Sequence, residues 1–338
     1  MDAQLKVKPD STLIVGVGSA LVDILTHENE AFLEQTGAVK GGMTLVEKDF
    51  IEAALAGSSG ERKIVPGGSA CNTAVGVGRL GGRARFVGKC GNGEWGRFFR
   101  EDLLRQNVEP ALFGSDSPTG RVLSIITPDA QRSMFTYLGA SSETQPAELT
   151  NGSFENAAVV HNDGYLLFNP ELMLTALRAA RAAGALISLD LASFTVIEES
   201  RDLLDRIVNE YVDVVIANED EARAFTGLSD EQQSLAVLSQ TADIAVVKLG
   251  ERGSTIAHQG RMMRIDPLGS GKAVDTTGAG DLWASGFLYG LVNGYPLERC
   301  GRIGSACGYE VCQVIGAAIP EEGWRRIRKM IEESQNGD

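Results

Sequence analysis

Residues 275–281 read Asp275-Thr276-Thr277-Gly278-Ala279-Gly280-Asp281, and Leu282-Trp283-Ala284-Ser285-Gly286-Phe287-Leu288-Tyr289-Gly290-Leu291 follows without a break. Leu282, Trp283, Phe287, Leu288 and Leu291 fall on one face at helical spacing, so a glycine-rich turn opens directly into a predicted helix. Free N–H groups of Gly278, Ala279 and Gly280 are then expected to converge where the helix dipole is positive, and the glycines let a phosphate approach the backbone. Asp281 stands at the edge of this anion hole. A carboxylate there is useful as the acceptor of a proton from an attacking hydroxyl. The alternative reading is a first-turn Asp that begins the helix.

Outward from this stretch the chain alternates strand and helix. Strands are predicted at Thr12 to Gly18, Arg83 to Gly88, Leu186 to Leu191 and Asp213 to Ala217, and helices at Ser69 to Leu80, Glu94 to Gln106, Glu171 to Ala183, Ile197 to Tyr211, Asn218 to Phe225 and Gly304 to Val314. The alternation predicts an α/β fold, a doubly wound, mostly parallel sheet flanked by helices. Arg121 to Pro128 and Gln131 to Tyr137, joined by Asp129-Ala130, read instead as a hairpin. We therefore expect one domain over residues 1–338, with a small β-stranded lid formed by parts of about 24–50 and 119–140. Lids exclude competing water in phosphoryl transfer.

Composition narrows the partners. With 45 acidic against 31 basic residues the net charge is −14, which repels nucleic acid and anionic membranes. No run approaches the roughly 20 apolar residues of a membrane span, and no small-residue cleavage signal follows Leu13 to Val22. The five cysteines form no CxxC pair and the three histidines lie far apart, so neither zinc, disulfides nor a histidine triad is expected. A cytoplasmic protein using carboxylate chemistry is the reading that remains. Gly16-x-Gly18 lacks a third glycine at Leu21, and Gly269-Ser270-Gly271-Lys272 is followed by Ala273 rather than Ser or Thr. Dinucleotide and Walker-type folds are both disfavoured.

The chain resembles the ribokinase family, also called the PfkB carbohydrate kinase family, and most resembles its adenosine-kinase-like branch. Residues 275–281 match the family's C-terminal signature. Gly67-Gly68-Ser69-Ala70-Cys71-Asn72, Gly81-Gly82 and Val87-Gly88-Lys89-Cys90-Gly91 resemble its N-terminal one. Asn218 and Glu221 match its Asn-x-x-Glu element. Gly42 to Leu45, Thr119 to Arg121 and Thr136 to Ala140 carry the likeness to the adenosine-kinase branch, whereas Ser19-Ala20 and Cys71 depart from it.

The resemblance implies ATP and Mg²⁺ as cofactors and leaves room for a monovalent cation, and an exposed lid-strand edge could pair with a second subunit in a homodimer. It implies Asp281 as the base, with Gly278, Ala279 and Gly280 as the anion hole. Asp23, Gly67, Gly68, Asn72 and Arg132 would meet the acceptor. Asn218, Lys248, Gly250, Gly253 and Thr276 would meet ATP, with Asn218 and Glu221 organising Mg²⁺ through water. Taken as residues alone, Asp23 reads equally as a strand-end charge, Gly67-Gly68 as a tight turn, Arg132 as an exposed strand arginine, and Asn218 with Glu221 as an N-cap and capping box. The expected reaction is transfer of the γ-phosphoryl group to a primary hydroxyl of a nucleoside. The alternatives are a free sugar acceptor such as ribose or fructose, or a catalytically silent binding protein.

Overall fold

The buried β-branched run Leu13–Val17 forms β1, the central strand of the larger of two sheets. A computed structural model describes the chain over residue 8 and residues 10–38, 40, 42–128, 132–269 and 272–333. In chain order β2 (Leu21–His27), α1 (Glu30–Thr36), β3 (Met43–Leu45), α2 (Lys48–Gly57), β4 (Arg62–Gly67), α3 (Ser69–Arg79), β5 (Ala84–Gly91), α4 (Glu94–Arg105) and β6 (Val108–Ser115) come next. There follow β7 (Thr119–Ile126), β8 (Arg132–Gly139), α5 (Asn151–Phe154), β9 (Ala157–Asp163), α6 (Pro170–Ala182), β10 (Leu186–Asp190), α7 (Phe194–Glu199), α8 (Arg201–Tyr211) and β11 (Val214–Asn218). The remainder is α9 (Glu219–Thr226), α10 (Glu231–Leu238), β12 (Ile244–Lys248), β13 (Ser254–His258), β14 (Arg261–Ile265), α11 (Ala279–Val292), α12 (Leu297–Cys312) and α13 (Glu321–Glu333).

The large sheet runs β14-β13-β12-β11-β10-β9-β1-β5-β6, parallel from β12 to β6 and closed at one edge by antiparallel β13 and β14. Strands buried on both faces need apolar cover on both. Leu177, Leu204, Ile207 and Phe225 pack on one face, and Ala70, Phe99, Trp283 and Phe287 on the other. The order changes direction between β1 and β9. Open α/β sheets take their ligands at such a switch point, beyond the strands' C-terminal ends.

The second sheet runs β3-β8-β7-β2-β4. Its side chains alternate strictly, as a two-residue period demands. Ile24, Leu123, Ile125 and Phe135 meet Leu33 of α1 and Ile51 of α2 on one face, while Asp23, Val122, Arg132, Met134 and Thr136 point from the other into a cavity.

Three expectations are corrected in detail. Asp23 does not end the first strand, because the chain leaves the large sheet after Val17 and Asp23 sits inside β2, paired with Val65 and Val122. The helix expected from Ile197 to Tyr211 is two helices broken at Ser200, whose φ of −117° and ψ of 19° are not helical. The predicted helix Gly304 to Val314 begins earlier, at Leu297 after Pro296, and ends at Cys312. Strands β6, β9, β13 and β14 and helices α1, α2 and α13 were not read from the sequence at all. The expected turn Asp129-Ala130 lies outside the described residues.

Helices α3 and α11 pack through a bare backbone. A Cβ on Gly76 would lie 2.2 Å from Ser285 Oγ; α11 meets α12 in the same way, where a Cβ on Gly286 would lie 2.6 Å from the Ile303 carbonyl. Gly76→Ala must push α11 away from α3, so it is expected to lower stability by about 1–3 kcal/mol, the usual cost of overpacking; urea unfolding against wild type measures it.

Candidate active site

Carboxylates and amides from both sheets converge on a cavity of about 580 Å³. Gly278 adopts a left-handed φ of 73° and turns the chain into α11, which starts at Ala279. A helix start leaves N–H groups unpaired. The amide of Ala279 is not among them, because it donates to the Thr276 carbonyl at 3.1 Å. This corrects the expected trio: among the described residues the amides of Gly278, Gly280 and Asp281 are the ones left facing the loop.

Asp281 is tied to α3 at three points. Ser69 Oγ donates to its Oδ1 at 2.7 Å, Asn72 Nδ2 to its Oδ2 at 2.8 Å, and Thr73 Oγ1 to its backbone carbonyl at 3.1 Å. Burial raises the Asp281 carboxyl above the usual aspartate range, and the Asn72 and Ser69 hydrogen bonds pull the other way. The result is a carboxylate fixed in place and keener for a proton than a solvated one.

Lys248, at the end of β12, donates to Asp190 Oδ2 at 2.7 Å. A Cβ on Gly280 would come within 2.8 Å of its Nζ, so the ammonium lies directly against the loop. Burial pulls the lysine pKa down, but Asp190 and Glu221 more than offset it and the lysine is held above its ordinary value, hence charged. The loop itself is held by Asp275, which accepts from Thr277 N, Thr277 Oγ1 and Gly316 N at 2.9, 2.7 and 2.8 Å.

On the acceptor side Asp23 is buried, and Gly67 makes room for it: a Cβ there would lie 2.2 Å from Asp23 Oδ1. Burial pushes Asp23 up to about 6, with Arg132 lowering it and Asp281 raising it further. Asn218 and Glu221 form a complete capping box: Asn218 Oδ1 accepts from Glu221 N at 2.8 Å and Glu221 Oε2 accepts from Asn218 N at 2.8 Å. The capping reading of this pair is thus what its hydrogen bonds show, and the same two residues also line the cavity. Burial, reinforced by Asp190, raises the Glu221 carboxyl.

Of the residues singled out from sequence, Asp23, Gly68, Asn72, Arg132, Asn218, Glu221, Thr276, Gly278, Ala279, Gly280 and Asp281 line the cavity. Gly67 and Lys248 stand immediately behind it. Gly250 and Gly253 do not reach it; they shape the turn between β12 and β13, where Gly253 has a φ of 88° and a Cβ would strike the Ile265 carbonyl. Sequence reading missed Ser69, Asp163, Asp190 and Tyr165, which also line the cavity or bond its groups. Asp163 and Asp190 are the last residues of parallel strands β9 and β10, the signal that could have found them.

ATP fits this arrangement: unpaired amides, a helix N-terminus and a buried ammonium surround one loop. No group of three or more His, Cys, Asp or Glu able to hold a metal exists among the described residues. A magnesium ion would therefore be held by phosphate oxygens and water, with Asn218 and Glu221 around it, as suits a cation that dehydrates reluctantly.

A model of the pfkB family of carbohydrate kinases matches residues 40–323. Probable fructokinase-4 of Arabidopsis thaliana is 30% identical over 335 residues, covering 93% of this chain and 95% of that protein. The crystal structure of adenosine kinase from Sinorhizobium meliloti superposes with a TM-score of 0.87 at 31% identity, over 96% of this chain and 99% of the other. That of a probable sugar kinase from Rhizobium etli CFN 42 gives 0.88 at 31% identity, over 96% and 98%.

The raised pKa of Asp23 has a consequence for stability. Its neutral form is favoured in the fold, so its contribution is fully present below about pH 4, the unfolded value, and is lost as pH rises through about 6. Asp23→Asn removes that dependence: the melting temperature of the variant is expected to gain on wild type between about pH 4 and about pH 7, as parallel thermal melts across that range would show.

Proposed function

The chain belongs to the pfkB family of carbohydrate kinases, and from that premise we propose that it transfers the γ-phosphoryl group of ATP to a primary hydroxyl of a nucleoside. It is a phosphotransferase with an alcohol acceptor. The observation that carries the nucleoside is the character of the cavity beyond Asp281. There Leu21, Met134, Leu138, Leu166, Phe168 and Leu172 give the cavity an apolar wall beside the polar groups Asp23 and Asn72. A nucleoside has both a hydroxylated ring for the carboxylate and a flat, weakly polar base for the wall. A free hexose offers such a wall only the small C–H face of its ring, far less apolar surface than a base. The 31% identity to the Sinorhizobium meliloti adenosine kinase along almost the whole chain supports the same reading.

In this reading Asp23 accepts hydrogen bonds from ring hydroxyls and so places the primary hydroxyl beside Asp281. Asp281, held by Ser69 and Asn72, takes the hydroxyl proton as the oxygen attacks phosphorus. The amides of Gly278 and Gly280, with Lys248 behind them, stabilise the charge on the transferring group. Asn218 and Glu221 would stand around a magnesium ion bound with ATP, which would neutralise charge on the phosphates. The five-stranded sheet acts as the lid, bringing Arg132 and Met134 over the acceptor and excluding water.

A second reading is a free sugar acceptor, favoured by the 30% identity to probable fructokinase-4 over 335 residues. Such a sugar would present its primary hydroxyl to the same base.

Asp281→Asn keeps shape and hydrogen bonding but cannot accept the proton. ADP release from Mg·ATP with adenosine is expected to fall by about 10²- to 10⁴-fold, while equilibrium binding of ATP stays near wild type; near-normal turnover would reject Asp281 as the base.

A further inference from the structure

Asp163 has no part in the transfer described above, yet it lines the cavity from the end of β9 and is only 3% exposed. Its Oδ2 accepts from the backbone N–H of Ala70 in α3 at 3.3 Å. Asp163 is also the residue from which the 3-10 turn Gly164–Phe168 springs, the turn that carries Tyr165 and Phe168. The end of β1 is kept bare for it: a Cβ on Gly18 would lie 2.4 Å from the same Oδ2. One buried residue thus joins, by its side chain, the helix whose Ser69 and Asn72 hold Asp281 and, by its backbone, the turn that forms the wall of the acceptor cavity.

We propose that Asp163 is a positioning residue, the carboxylate that sets the distance between the acceptor wall and the base Asp281. The inference rests on the kinase reading. A backbone donor is held more tightly by an anion than by a neutral acid. Protonation of Asp163 therefore slackens the link between wall and base. The groups facing it are Asp281 on α11, Asp190 on β10 and Tyr165 on the turn, none of them cationic. Burial, with Asp281 and Asp190 adding to it, pushes Asp163 up to about 7, so the link changes state in the working range of the enzyme.

The test compares wild type, Asp163→Asn and Gly18→Ala, the last crowding the carboxylate without altering it. Steady-state kinetics with Mg·ATP are measured from about pH 5.5 to about pH 8.5, using adenosine or, if only that is turned over, fructose. In both variants kcat/KM for the acceptor is expected to fall about 10- to 100-fold while KM for ATP stays within about twofold. In Asp163→Asn the melting temperature is expected to be retained and the wild-type step in acceptor kcat/KM near pH 7 to vanish. Acceptor kcat/KM at the wild-type level in both variants overturns the assignment. So does an equal loss on the acceptor and ATP sides together with a lower melting temperature, which marks a merely structural residue. A wild type that turns over neither acceptor overturns the kinase reading, and this inference with it; the other two results leave that reading standing.

Discussion

A carboxylate cannot be buried for nothing: taken from water without partners it protonates and loses its use. The structure solves this for Asp281 by setting it in the first turn of α11, where the helix start is positive, and by donating to it from Ser69 and Asn72 of α3. Much else follows from that requirement. Helices α3 and α11 must lie close enough for hydroxyl and amide to reach, so α3 meets the Ser285 and Leu282 side chains of α11 with the bare backbone of Gly76. Both must begin at the same edge of the sheet. The parallel strands then end on the same side, and Asp163, Asp190, Asn218 and Lys248 are delivered to one cavity.

The electrostatic balance at that cavity is unusual for a site that must take a polyanion. The chain carries a net charge of −14, and Asp23, Asp163, Asp190, Glu221 and Asp281 crowd the site. Attraction for phosphate is therefore made locally, by amides at the start of α11 and by Lys248, whose charge is secured by Asp190. The carboxylates in turn raise one another's proton affinity, as Asp281 does for Asp23 and Asp163.

What could be read from the sequence was local. The turn at residues 275–281 and the helix after it identify themselves, because glycine, a capping geometry and apolar spacing lie within a few residues of each other. So do α3, α4 and the strands β1 and β10, whose apolar runs are bounded by turns. The second sheet was only partly legible. Its strands β2 and β4 pair across some 40 residues, and β2 follows β1 so closely that Leu13 to Asp23 looks like one apolar stretch. Asp163 and Asp190 carry no motif; a strand-final aspartate acquires meaning only when the sheet brings strand ends together. The Ala279 amide shows the opposite failure, a group assigned to the ligand that the turn uses for its own closure.

The most direct measurement is phosphorus-31 NMR of the products formed from Mg·ATP with adenosine, ribose and fructose present together in equal amounts. The account predicts ADP and one new phosphomonoester, on the primary hydroxyl of adenosine. A phosphate ester on ribose or fructose, or free orthophosphate alone, would contradict it.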